Sequence, residues 1–125
     1  MKESIFTEKA PAAIGPYSQA IATDRAVFVS GQLGLDPATG TLVEGKEAQF
    51  EQIFKNASVI LASAGCTLDN VVKTTVFVTD MADFALFNSI YANFFNKPYP
   101  ARSVVQVGAL PKVGAFAEME LIARK

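Results

Sequence analysis

The segment Val71-Val72-Lys73-Thr74-Thr75-Val76-Phe77-Val78-Thr79 constrains the fold most tightly. Its β-branched density marks a strand, and apolar side chains occupy both alternating sets, Val71 and Phe77 opposing Val72, Val76 and Val78. Successive strand residues point to opposite faces of a sheet, so both faces of this strand need cover. Helical periods flank it. Over 46–64, Phe50, Ile53, Phe54, Ala57, Ile60, Leu61 and Ala64 recur at the spacing of one helix face, and Gly65 supplies a stop. Over 82–95, Phe84, Phe87, Ile90, Tyr91 and Phe94 align in the same way, with Asp80 or Asp83 as capping candidates. Pro98 and Pro100 prevent this second helix from continuing.

Strand patterns at 26–30, 103–107 and 116–123 complete the main elements, and 17–23 predicts another. Asp36-Pro37-Ala38-Thr39-Gly40 reads as a turn between short strands at 33–35 and 41–43. With no repeat or linker-like tract, residues 1–125 are treated as a single domain. The order predicts an α+β fold, a mixed sheet with two helices on one face. Two helices shield only one face, so self-association is the expected cover for the other.

A chain of 125 residues that is 50% hydrophobic can build its core without disulfide or metal staples. The absence of histidine removes the usual general base and the commonest metal ligand together. Ser-His-Asp and Cys-His catalysis are therefore excluded. A single cysteine, Cys66, supports neither an intrachain disulfide nor a zinc site, and it reads as a small packed residue. No metal is expected. A net charge of −1 without a basic block argues against nucleic acid, and no apolar run approaches the roughly 20 residues of a membrane span. The charged N-terminus lacks the apolar stretch of a signal peptide, and the expected location is cytoplasmic.

Few groups remain that could carry chemistry. Arg102, where an extended segment enters a strand, offers either a bidentate fork for a carboxylate or an ordinary surface ion pair. Glu118 and Glu120 share one strand face with Phe116 and Ile122, either as a solvated face or as a partly dry cleft in which a glutamate transfers protons. Gly31, within Ser30-Gly31-Gln32, allows close approach of a ligand or a neighbouring chain. Tyr17 adds an amphipathic ring near a turn, and Asn88 shares a helix face with Tyr91. No Gly-rich phosphate loop is present.

Taken together, Ala13-Ile14-Gly15-Pro16-Tyr17-Ser18-Gln19-Ala20, Val29-Ser30-Gly31-Gln32, the helix from Asn88 to Phe95, Pro100-Ala101-Arg102-Ser103, Leu110-Pro111-Lys112 and Glu118-Met119-Glu120 resemble the Rid family of imine deaminases, the YjgF-type proteins, across essentially the whole chain. The resemblance implies a chorismate-mutase-like fold of the bacillus type. It implies a homotrimer with a central β-barrel and active sites in clefts between subunits. It also implies hydrolysis of enamines and imines such as 2-aminoacrylate, 2-iminopropanoate and 2-iminobutanoate, released by pyridoxal-phosphate-dependent dehydratases, to 2-oxo acids and ammonia. No cofactor is required. Arg102 would bind the substrate carboxylate, Glu118 rather than Glu120 would orient water and shuttle protons, and Tyr17, Ser30, Gly31 and Asn88 would line the pocket. Val104 stands where many relatives have cysteine, so thiol-dependent regulation at that point is not expected. A non-catalytic module that binds small carboxylates through Arg102 is the alternative. The ribonuclease activity ascribed to some relatives finds little support in a chain without histidine or a basic stripe.

Overall fold

The apolar stripe at 46–64 becomes a helix because that conformation turns its apolar residues inward together. In the computed structural model, which describes residues 1–125, α1 spans Lys46–Ser63 and buries Phe50, Ile53, Phe54, Ala57, Ile60 and Leu61. Gly65, at φ +77°, ends it in the left-handed conformation that other residues adopt at a cost. The N–H of Gly65 donates to the Ala62 carbonyl and that of Cys66 to the Leu61 carbonyl, satisfying carbonyls that the last turn would leave orphaned. The second helix begins as a short 3-10 turn at Met81–Asp83, where the Asp80 carboxylate accepts from the Ala82 N–H at 2.9 Å. It continues as α2 over Phe84–Phe94. The helices meet through rings: Phe54 lies 4.7 Å from Phe94, 5.5 Å from Phe87 and 5.8 Å from Tyr91, centroid to centroid.

Six strands, β1 (Glu3–Ile5), β2 (Ala20–Ala22), β3 (Ala26–Leu33), β4 (Val71–Val78), β5 (Ala101–Gln106) and β6 (Ala117–Arg124), form one sheet in the order β1-β2-β3-β6-β4-β5. β4 and β5 are parallel, joined through α2, and every other neighbouring pair is antiparallel. The fold is thus the expected α+β architecture with two helices. Val27 and Val29 on β3, Thr74, Val76 and Val78 on β4, and Ala117, Met119, Leu121 and Ala123 on β6 bury their side chains in one core with both helices. Phe28 and Val105 remain 45% and 42% exposed on the opposite face. No helix is long and apolar enough to cross a membrane.

Several details depart from the sequence reading. A register shift lies between Val71 and Lys73, so Val71 turns into the core beside Thr74, Val76 and Val78, while Val72 is 45% exposed. The bulge inserts one residue and reverses the facing expected for Val71 and Val72. The strands expected at 33–35 and 41–43 reduce to one bridge, Leu35 to Leu42. Residues 17–19 stay outside β2, β3 continues beyond Ser30 to Leu33, and β1 is an additional edge strand. Phe84, expected on the buried helix face, is 39% exposed.

Two buried amides on α1 fix the strand ends that matter for the site. Asn56 donates to the carbonyls of Leu33 and Leu35 at 3.2 and 2.9 Å. Gln49 donates to the Gly114 carbonyl and accepts from the Phe116 N–H, at 3.2 and 3.1 Å, anchoring the chain just before β6. Gly34 lies so close to α1 that a β-carbon there would sit 2.5 Å from the Gln49 carbonyl oxygen. Backbone cannot yield as a side-chain tip can. Gly34→Ala is expected to destabilise the fold by about 1–3 kcal/mol, read as a lower denaturation midpoint at unchanged denaturant slope.

Candidate functional site

On the open face of the sheet, Glu118 of β6 pairs with Leu33 of β3 and Phe77 of β4. A second register irregularity, between Val29 and Gln32, brings the Gly31 backbone beneath this carboxylate. A β-carbon on Gly31 would meet Glu118 Cδ at 2.7 Å and Oε1 at 3.0 Å. Burial raises the Glu118 pKa above the ordinary glutamate value, and repulsion from Glu120 adds to the effect. A half-buried carboxyl of this kind is matched to proton transfer. Glu120 is exposed, which favours Glu118 as the functional member of the pair.

The approach to Gly31 is held by side chains that the sequence reading either passed over or assigned differently. The Ser30 hydroxyl donates to the Ser18 carbonyl at 2.6 Å, and the Ser30 N–H donates to the Gln19 carbonyl at 3.0 Å. Ser30 therefore ties β3 to the segment carrying Tyr17. Gln19, only 3% exposed, donates to the Thr7 and Pro11 carbonyls and accepts from the Thr7 N–H. Tyr17 is 52% exposed, and its hydroxyl oxygen accepts from the Ile14 N–H at 3.4 Å. Because the obstruction at Gly31 is the tip of a side chain, Gly31→Ala is expected to push the carboxylate aside and leave the fold intact. Turnover should fall about 10²-fold with little change in thermal midpoint.

Arg102 occupies the other side of the sheet. It pairs with Thr74, whose side chain is buried beneath the helices, and Val104 likewise pairs with buried Val76. The guanidinium carbon lies 4.7 Å from the centroid of Tyr91 and 5.6 Å from that of Phe84. No carboxylate pairs with it; Lys46 and Asp83 form the ion pair of this chain, at 2.8 Å. A depression of about 420 Å³ opens beside it, lined by Asn88, Tyr91, Ala92, Tyr99, Pro100 and Arg102. Asn88 Oδ1 is buried without a hydrogen-bond partner. A cationic fork with free donors in such a depression can receive a small carboxylate.

The sequence-derived residues thus fall into two groups. Asn88 and Arg102 share the depression, while Gly31 and Glu118 are in contact, with Ser30 and the Tyr17 segment alongside. Strand register sets the groups apart, since Arg102 pairs with core-facing Thr74 and Glu118 pairs with Phe77 on the opposite face. One chain keeps the two groups on opposite faces of its sheet.

The chain is similar to known proteins in both sequence and fold. The sequence profile described as Endoribonuclease L-PSP matches residues 7–125. A protein from Mus musculus named 2-iminobutanoate/2-iminopropanoate deaminase is 51% identical over 124 residues, 98% of this chain and 91% of that protein. The crystal structure of RidA from Psychrobacter sp. PAMC 21119 superposes with a TM-score of 0.95 at 49% identity, covering 98% of this chain and 99% of the other. The crystal structure of E. coli TdcF with bound serine gives a TM-score of 0.93 at 40% identity and covers 98% of each chain.

Proposed function

We propose that this chain, which belongs to the Endoribonuclease L-PSP (YjgF) family, is a hydrolytic deaminase of small 2-imino acids and their enamine tautomers. The observation that carries the reading is the half-identity to a named deaminase over nearly the full length of both proteins. The two half-sites supply the chemistry such a reaction needs. Arg102, free of any internal anion, holds the substrate carboxylate. Glu118, its pKa raised, takes a proton from water as oxygen bonds to the imine carbon, and the nitrogen is protonated in turn. The resulting carbinolamine loses ammonia as the C–N bond breaks, leaving a 2-oxo acid. The electrophilic carbon is already present in the substrate, so positioning and proton transfer suffice and no cofactor is invoked. Gly31 gives the carboxylate its place, and Tyr17, Ser30 and Asn88 shape the walls.

Because Arg102 and Glu118 face opposite sides of their own sheet, the reading includes self-association. In a homotrimer whose sheets turn their open faces toward a barrel-like centre, Arg102 of one copy meets Glu118 of the partner subunit. The exposure of Phe28 and Val105 on that face supports this arrangement. A soluble cytoplasmic protein of one domain is part of the same proposal.

Subunit exchange tests it. Arg102→Ala and Glu118→Gln are each expected to be nearly inactive, yet mixing them under exchange conditions should restore about one site in four, the chance that a retained arginine meets a retained glutamate across a heterologous contact. Failure of mixed oligomers, verified by native mass spectrometry, to regain activity would overturn the shared site. Saturable, Arg102-dependent binding of 2-oxobutanoate by a parent protein without turnover would instead favour a carboxylate-binding module.

A further inference from the structure

An arginine that receives a substrate anion must be held without being neutralised. A free arginine side chain carries about 2 kcal/mol of rotamer entropy, and binding is weakened by whatever ordering is left until the ligand arrives. Holding it with a carboxylate would occupy the fork. In this chain the cation lies instead over two aromatic faces, Tyr91 at 4.7 Å and Phe84 at 5.6 Å. We infer that Tyr91, assisted by Phe84, is a positioning residue that fixes the Arg102 guanidinium at the rim of the depression while leaving its N–H donors for the substrate carboxylate. This rests on the deaminase reading and deepens it.

Tyr91 is suited to serve as a fixed floor. It is 5% exposed, and its ring packs 4.5 Å from Phe95 and 5.8 Å from Phe54. Its hydroxyl and that of the fully buried Thr74 share a hydrogen bond of 2.9 Å. Thr74 is also the residue that pairs with Arg102 across β4 and β5. The floor and the strand bearing the arginine are therefore locked together at one position. Burial raises the Tyr91 pKa, opposed by Thr74 and Arg102, which keeps the phenol neutral. A phenolate there would compete with the substrate for the guanidinium. Phe84 forms the second contact from the start of α2, where 39% of its surface is exposed, so burial alone gives no reason for an aromatic ring at that point.

The test measures KM and kcat for 2-iminobutanoate and the affinity for 2-oxobutanoate in Phe84→Leu, Tyr91→Leu and Tyr91→Phe, each also combined with Arg102→Ala. Phe84→Leu and Tyr91→Leu are expected to weaken 2-oxobutanoate binding and raise KM by about 3- to 30-fold, with a smaller change in kcat. Tyr91→Phe, which keeps the ring, should stay near the parent. In the Arg102→Ala background the same leucine substitutions should change kcat/KM little. Parent-like binding in folded Phe84→Leu and Tyr91→Leu would overturn the inference, and so would an undiminished loss in the Arg102→Ala background. Should Tyr91→Leu fail to fold, half-exposed Phe84 decides. A parent that neither binds 2-oxobutanoate through Arg102 nor turns over the imine would overturn the deaminase reading and this inference together, whereas Arg102-dependent activity indifferent to both rings would overturn this inference alone.

Discussion

Glu118→Gln is expected to slow imine hydrolysis by about 10²- to 10⁴-fold in a protein that stays folded. Gln retains the shape that lies over Gly31 but cannot accept a proton from the attacking water. The pH dependence gives a second readout. Burial, with Glu120 adding repulsion, places the Glu118 pKa above 4.5, so the acid limb of the parent kcat/KM profile should lie above the ordinary glutamate range. That limb should vanish in Glu118→Gln. Stability follows the opposite course. A carboxyl whose pKa is higher folded than unfolded contributes stability below its unfolded value and loses it as pH rises through the folded value. The parent therefore gives up stability as pH rises from the ordinary glutamate range through the raised folded value. Glu118→Gln escapes this loss, so its thermal midpoint should equal or exceed the parent's at pH 7, with the difference closing below pH 4.5. A less active and no less stable variant identifies a functional carboxylate rather than a structural one.

Arg102→Ala is expected to cost about 1.5–3 kcal/mol of substrate binding, a 10- to 150-fold rise in KM. No internal anion is left unpaired by the change, because no carboxylate pairs with Arg102 in the folded chain. The fold should therefore be indifferent to it. Arg102→Lys should recover part of the affinity, since an ammonium retains the charge but not the planar fork. Steady-state kinetics with the imine, beside calorimetric binding of 2-oxobutanoate, check both variants.

The helices were legible because a stripe such as Phe50, Ile53, Phe54, Ala57, Ile60 and Leu61 has one way to bury itself. Glu118 facing away from Met119 and Leu121 was equally legible, following from strand alternation in an unbulged segment. The facing of Val71 and Val72 was not, because a bulge changes parity without any glycine or proline to announce it. Arg102 posed a related difficulty. Val104 and Val105 give β5 apolar residues in both alternating sets, so only its register with β4 places Arg102 beneath the helices and away from Glu118. Gln49 and Asn56 carry no signal in the helical period, because their roles depend on backbone groups far away in sequence at Gly114, Phe116, Leu33 and Leu35. The contact of Tyr91 with Arg102 arises only after the α2 crossover returns β5 alongside β4. The family was legible through the Rid-type motifs, which local periodicity does not encode.

The most direct test generates 2-iminobutanoate in situ from threonine with a dehydratase and traps the surviving imine with semicarbazide across a range of added protein. The account predicts that trapped adduct falls as parent protein rises, with 2-oxobutanoate taking its place. Arg102→Ala and Glu118→Gln should leave the yield near that of the dehydratase alone at concentrations where the parent has removed most of the imine. A trapping yield unaffected by folded parent protein at every concentration would contradict imine hydrolysis by this chain.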